Sequence, residues 1–148
     1  MKGPRIIVKQ LASSRHVRKW RDHCMTALGG ATDRFGQESA DDLIVWQLSS
    51  ANNRPLARST RAYGSFEDAN DAATAIRAHA GQITYRSLKL TSRSEYVWIG
   101  SLDSQSVLIS ARIYSTVRDA RDSIVVVSGA LPDATVESAA RALTRGAR

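Results

Sequence analysis

The sequence predicts an α+β domain: two tandem ββα repeats packed as one pseudo-symmetric domain, with an N-terminal strand–helix arm and a C-terminal helix. Three observations carry this prediction. First, short motifs recur in the same order. Val45-Trp46 returns as Val97-Trp98, Ser59-x-Arg61-x-Tyr63 as Ser110-x-Arg112-x-Tyr114, and Asp68-Ala69-x-Asp71 as Asp119-Ala120-x-Asp122. The tryptophans are 52 positions apart and the tyrosines 51, so the second copy is one residue shorter, a change that a turn tolerates and a packed strand does not. Second, Phe66, Ala69, Ala73, Ile76 and Ala80 step by three and four as on an amphipathic helix, and Val117, Ala120, Ile124, Val127 and Leu131 repeat that stripe. Third, Ile44, Trp46 and Leu48 alternate like one face of a strand, with Tyr96, Trp98 and Gly100 in the same places of the second copy.

In chain order, residues 5–11 read as a short strand centred on Ile6-Ile7-Val8. Ser13 or Ser14 caps a helix over residues 15–28, and Gly29-Gly30 ends it. Residues 31–42 lack periodicity and read as a linker. The first repeat has a strand over 43–49, a tight turn at Asn52-Asn53, and a second strand over 56–60. Pro55 donates no hydrogen bond, so that strand starts there or lies on an edge. Ser65 caps the next helix, with Glu67 and Asp68 against the positive end of its dipole, and His79-Ala80-Gly81 closes it. In residues 82–91, Ile83 and Tyr85 alternate, then Leu88 and Leu90 do so in the opposite phase. This reads as a strand with a break or bulge near Ser87.

The second repeat has strands over 95–101 and 107–113 around a turn at Asp103-Ser104-Gln105, and Thr116 caps its helix. Ile124-Val125-Val126-Val127 is locally strand-like because β-branched side chains lose χ1 freedom in a helix. Correspondence with the first repeat makes the run helical nevertheless. After Pro132, Asp133 caps a last helix over 134–144, with Val136, Ala139, Ala140 and Leu143 as its apolar side.

The 148 residues suffice for one core, and 43% hydrophobic with 24% charged residues is ordinary for a globular chain. A single cysteine, Cys24, excludes an internal disulfide framework and fits a reducing compartment. No stretch approaches a membrane span, so the expected location is cytoplasmic, as a monomer or homodimer with no membrane partner. The net charge of +7 is unevenly placed. Residues 1–36 carry +6, residues 37–92 carry none and residues 93–148 carry +1, and these three segments are taken as arm, first repeat with its linker strand, and second repeat with the last helix.

The repeat resembles the YegP-like family of small proteins of uncharacterised function. The features are an aromatic-led strand (Trp46), an Asn-containing turn (Asn52-Asn53), a second strand ending in Ser59, then Tyr63-Gly64-Ser65 and a helix. The second copy keeps Trp98, Ser110, Tyr114 and Thr116 but lacks the Asn-containing turn. The resemblance spans residues 43–131 and implies strands followed by a helix in each unit. It supplies no catalytic residues.

Arg15, Arg18, Lys19 and Arg21 beside Trp20 form the most functional-looking feature, a basic helix face suited to a phosphate backbone. The same pattern is also that of a solvated helix with Trp20 in the core. His16 and His23 lie about 10 Å apart along a helix, too far to share one ion, so no metal or cofactor is expected. Asp41-Asp42 and Glu67-Asp68 have structural explanations in a linker and a helix start, and no nucleophile elbow or phosphate loop is present. The chain therefore reads as a non-enzymatic accessory protein that meets nucleic acid or a nucleoprotein assembly through its arm. The alternative is a protein-interaction module that uses the sheet edge or the aromatic face of the repeats, with the tryptophans better suited to the core and the tyrosines to partly exposed positions.

Overall fold

Apolar alternation in seven short segments builds one sheet. The structure, a computed structural model, describes residues 3–11, 44–90 and 94–138. Its strands are β1 (Arg5–Gln10), β2 (Ile44–Ser49), β3 (Pro55–Ser59), β4 (Thr84–Lys89), β5 (Tyr96–Leu102), β6 (Gln105–Ser110) and β7 (Thr135–Ser138), in the order β4-β5-β6-β3-β2-β1-β7. All neighbours are antiparallel except β1 and β7, which run parallel. Among the described residues two α-helices, α1 (Phe66–Ala78) and α2 (Val117–Ala130), complete an α+β fold.

Each helix starts where its cap residue stands. Ser65 Oγ accepts from the Asp68 backbone N–H at 3.0 Å, and Thr116 Oγ1 accepts from that of Asp119 at 3.1 Å. The β-branched run 124–127 is helical. Val127 is buried and Ile124 packs on the core, while Val125 and Val126 face outward, 69% and 52% exposed. The cap and the inward stripe outweigh a helix-propensity cost of roughly 0.5 kcal/mol per valine.

Both helices contribute to one core on one face of the sheet. Ala69, Ala73 and Ile76 of α1 and Ala120 and Val127 of α2 cluster with Ile6, Val8, Trp46, Leu48, Trp98 and Leu108. The other face is apolar too, where Leu11, Val45, Ala62, Val97, Ile99 and Ile109 form a second buried cluster. This explains the phase change in the strand at 84–89. β4 pairs with β5 in unbroken register from Thr84 to Lys89, so the expected break near Ser87 is absent. Ile83 and Tyr85 join the helix-side core, and Leu88 and Leu90 join the cluster on the other side. A period of two with apolar residues on both faces reads like a slip in sequence.

Two further expectations are corrected. The C-terminal helix expected over 134–144 is not helical where it is described, since Thr135–Ser138 is β7. Ala134 and Val136 point inward between exposed Thr135 and Glu137, a period of two, and Ile6 stands opposite Val136 in the parallel ladder. Residues 139–148 of that expectation lie outside the described residues. The first strand does not project as an arm either, because β1 is an inner strand between β2 and β7. Of the two readings of Pro55, the strand start is the one realised, with β3 lying in the interior of the sheet between β6 and β2.

Candidate binding cleft

The residues expected to meet nucleic acid, Arg15, Arg18, Lys19 and Arg21, lie outside the described residues, as do His16, His23, Cys24 and Asp41-Asp42. Glu67 and Asp68 sit in the first turn of α1, where the helix dipole accounts for them. His79 is the C-cap of α1, with Nδ1 2.9 Å from the Ala75 carbonyl oxygen. Among the described residues no group of three or more His, Cys, Asp or Glu side chains is placed to hold a metal ion. No helix among them is long and apolar enough to cross a membrane.

The aromatic face of the repeats is not a surface. Trp46 and Trp98 are both fully buried beneath the helices; of the two tyrosines expected to be partly exposed, Tyr114 is and Tyr63, 7% exposed, is not. Tyr63 is held by its backbone N–H donating to the Ile44 carbonyl at 2.7 Å, with the Arg61 guanidinium 4.9 Å from its ring centre. The two indoles are consumed by packing and are not available for stacking.

An open cleft of about 620 Å³ lies between the β2–β3 hairpin and α2. Ser50, Asn52 and Arg54 of the hairpin line one part, Arg112 and Tyr114 follow β6, and Asp119, Asp122 and Ser123 come from α2. The hairpin is well held. Asn53 takes a positive φ of 63°, its backbone N–H donates to the Ser50 carbonyl at 2.9 Å, and its side-chain oxygen accepts from the Arg5 guanidinium. Arg5 also pairs with Glu137 at 3.7 Å, which ties the hairpin to β1 and β7.

At the cleft wall Ser123 Oγ accepts from Trp98 Nε1 at 2.9 Å and lies 2.9 Å from the Tyr114 hydroxyl. Two hydroxyls carry two protons, and only one can lie between them. The indole N–H is a donor only, so the second hydroxyl proton has no acceptor among the described residues, whichever hydroxyl holds it. Around this pair Arg54, Arg112, Asp119 and Asp122 are exposed, and no ion pair joins either arginine to either aspartate. Such a surface offers both signs of charge and one neutral donor, and contains no nucleophile–base pair.

Sequence reasoning missed this cleft because its walls come from residues 50–56 and 112–126, which share no motif. One signal was available. Ser123 stands where the first copy has Ala72, at the 51-residue offset, and it is polar on the inward side of an otherwise apolar stripe.

No family model matches the chain, and no curated protein does. A search of solved structures finds the solution NMR structure of yegP, a protein of unknown function from E. coli, with a TM-score of 0.59 at 12% identity. The match covers 93% of this chain and 94% of that one. At that identity the likeness is one of fold: this chain has a YegP-like fold.

Proposed function

We propose that the protein is a non-enzymatic accessory protein that engages nucleic acid or a nucleoprotein through its basic N-terminal segment, with the sheet and its helices as scaffold. The observation that carries this is the placement of charge. Residues 1–36 hold eight Lys/Arg and two Asp/Glu, a net +6 of the chain's +7. Because β1 is locked into the sheet up to Gln10, the segment with Arg15, Arg18, Lys19 and Arg21 begins within a few residues of a rigid strand. Basic side chains so tethered release counterions when they meet phosphates.

We further infer that the scaffold arose by duplication, with a βββα unit in place of the ββα unit read from sequence. Several paired features support this. The backbone N–H of Trp46 donates to Ser59 Oγ and that of Trp98 to Ser110 Oγ, both at 3.3 Å, and both serines donate onward to the carbonyl two residues later at 2.9 Å. Register shifts occur at Leu48/Ser49 and at Gly100/Ser101. β1 flanks β2 as β4 flanks β5, and β3 meets β6 between the halves.

The test is fluorescence anisotropy of the full chain with duplex DNA, single-stranded DNA and RNA across a salt series. Four phosphate contacts predict binding that weakens about a hundredfold from about 50 to about 200 mM salt. Changing Arg15, Arg18, Lys19 and Arg21 together to Gln should abolish it. Binding that survives those changes overturns the proposal. A second reading, a protein partner that adds a strand to the sheet, is favoured by β4, which among the described strands pairs with β5 alone. A partner that binds independently of salt would select it.

A further inference from the structure

We infer that the cleft between the β2–β3 hairpin and α2 is a binding site for a small zwitterionic peptide, one carrying both a free carboxylate and a free ammonium group. The inference concerns a surface apart from the basic N-terminal segment and does not depend on it.

Charge comes first. Arg54 and Arg112 line the cleft, as do Asp119 and Asp122, three apart on one face of α2. Both signs of charge line the same cleft, and among the described residues no ion pair joins them. A ligand bearing both signs satisfies both sets at once, with its carboxylate on the planar forks of the arginines and its ammonium between the aspartates. A simple anion would meet the aspartates and a simple cation the arginines.

The hydroxyl pair is the second observation. Trp46 lies fully buried with no partner for Nε1, so this fold tolerates an unbonded indole N–H at that place. At Trp98 the matching indole N–H donates to Ser123. What Ser123 adds, together with Tyr114, is one unspent O–H donor at the cleft, suited to the carbonyl of a peptide bond. Pro55, Leu56 and Val126 supply apolar surface beside it, and a volume of about 620 Å³ exceeds the needs of a lone amino acid and suits a short peptide.

The experiment is amide NMR titration of the full chain with the dipeptide glycyl-leucine, its N-acetylated form and its C-terminal amide. Glycyl-leucine should shift the resonances of Asn52, Tyr114 and Ser123 with a Kd of about 1 mM or tighter, a modest affinity suited to exposed charges. Blocking either end should weaken binding about fivefold or more. Arg112→Gln should erase the preference for the free dipeptide over its amide, and Asp122→Asn the preference over the acetylated form. Both positions are exposed, so each variant should melt with the parent protein. Equal affinity for free and blocked dipeptides overturns the charge argument. Absence of shifts at about 20 mM, or shifts confined to other residues, overturns the site and leaves these side chains as solvated surface.

Discussion

Gly100 stands opposite Leu108 in the β5–β6 ladder, and a Cβ on Gly100 would come within 2.6 Å of Leu108 Cδ2. In the β2–β3 ladder the sizes are reversed, with Leu48 opposite Ala57. Large and small residues thus exchange sides between the two hairpins. Gly100 also faces Tyr85 on β4, and Ile83 Cγ2 would lie 3.1 Å from its Cβ. Here glycine is chosen for close approach, not for backbone freedom.

It follows that Gly100→Ala destabilises the chain by about 1–3 kcal/mol, since Leu108 is fully buried and must shift to admit a methyl group. Leu108→Ala alone leaves a cavity and costs about 2–5 kcal/mol. Combined, they should cost less than the sum, because each change makes room for the other. Urea denaturation of the three variants measures the coupling. Strict additivity would show that the pair does not share one space.

How much of this was legible in the sequence depends on how local each interaction is. The caps Ser65 and Thr116, the strand start at Pro55 and the two helical stripes were readable because each is decided within a few residues. β7 was not, because a four-residue strand held by parallel pairing to β1 depends on residues more than a hundred positions away. Val136 and Ala140 at helical spacing then imitate an amphipathic turn. The cleft was invisible for a related reason, since Arg54 on the β2–β3 hairpin is more than fifty positions from Arg112, Asp119 and Asp122. Arg61, Asp68 and Asp71 have the same spacing in sequence as Arg112, Asp119 and Asp122, so sequence alone does not single out the second set.

Burial at Tyr85 makes a prediction about pH. Its hydroxyl is buried with no hydrogen-bond partner, its ring meets Trp98 edge-on at 5.5 Å, and desolvation pushes the phenol up to about 12 from an ordinary value of 10.0. Between those values the unfolded chain has lost the proton and the folded chain retains it, so the unfolded state binds fewer protons and stability falls as pH rises. Lys9 acts oppositely. Burial first, and then the nearby Arg58 charge, lower its pKa below 10.5, so stability rises as pH climbs through that lower value toward 10.5. Tyr85→Phe should remove the alkaline decline between about pH 10 and about pH 12 and be neutral or stabilising at pH 7, because an unsatisfied hydroxyl is deleted. Melting temperature against pH for parent and variant decides it. An unchanged alkaline limb would assign the decline to other groups.

The two tryptophans give a prediction in opposite directions. Trp98 donates its indole N–H to Ser123 Oγ at 2.9 Å, whereas Trp46 Nε1 has no acceptor, and Ala72 occupies the matching place in α1. Ser123→Ala orphans a buried donor and should cost about 1–2 kcal/mol after the better helix propensity of alanine is credited. Ala72→Ser should supply the missing acceptor and stabilise the chain by about 0.5–1 kcal/mol, against a helix penalty of roughly 0.5 kcal/mol already deducted. In a chain of this size each 1 kcal/mol moves Tm by about 2–4 °C, so the variants should separate from the parent on opposite sides. If Ala72→Ser melts lower than the parent, the hydroxyl fails to reach the Trp46 indole, and the α1 and α2 helices sit differently over their tryptophans.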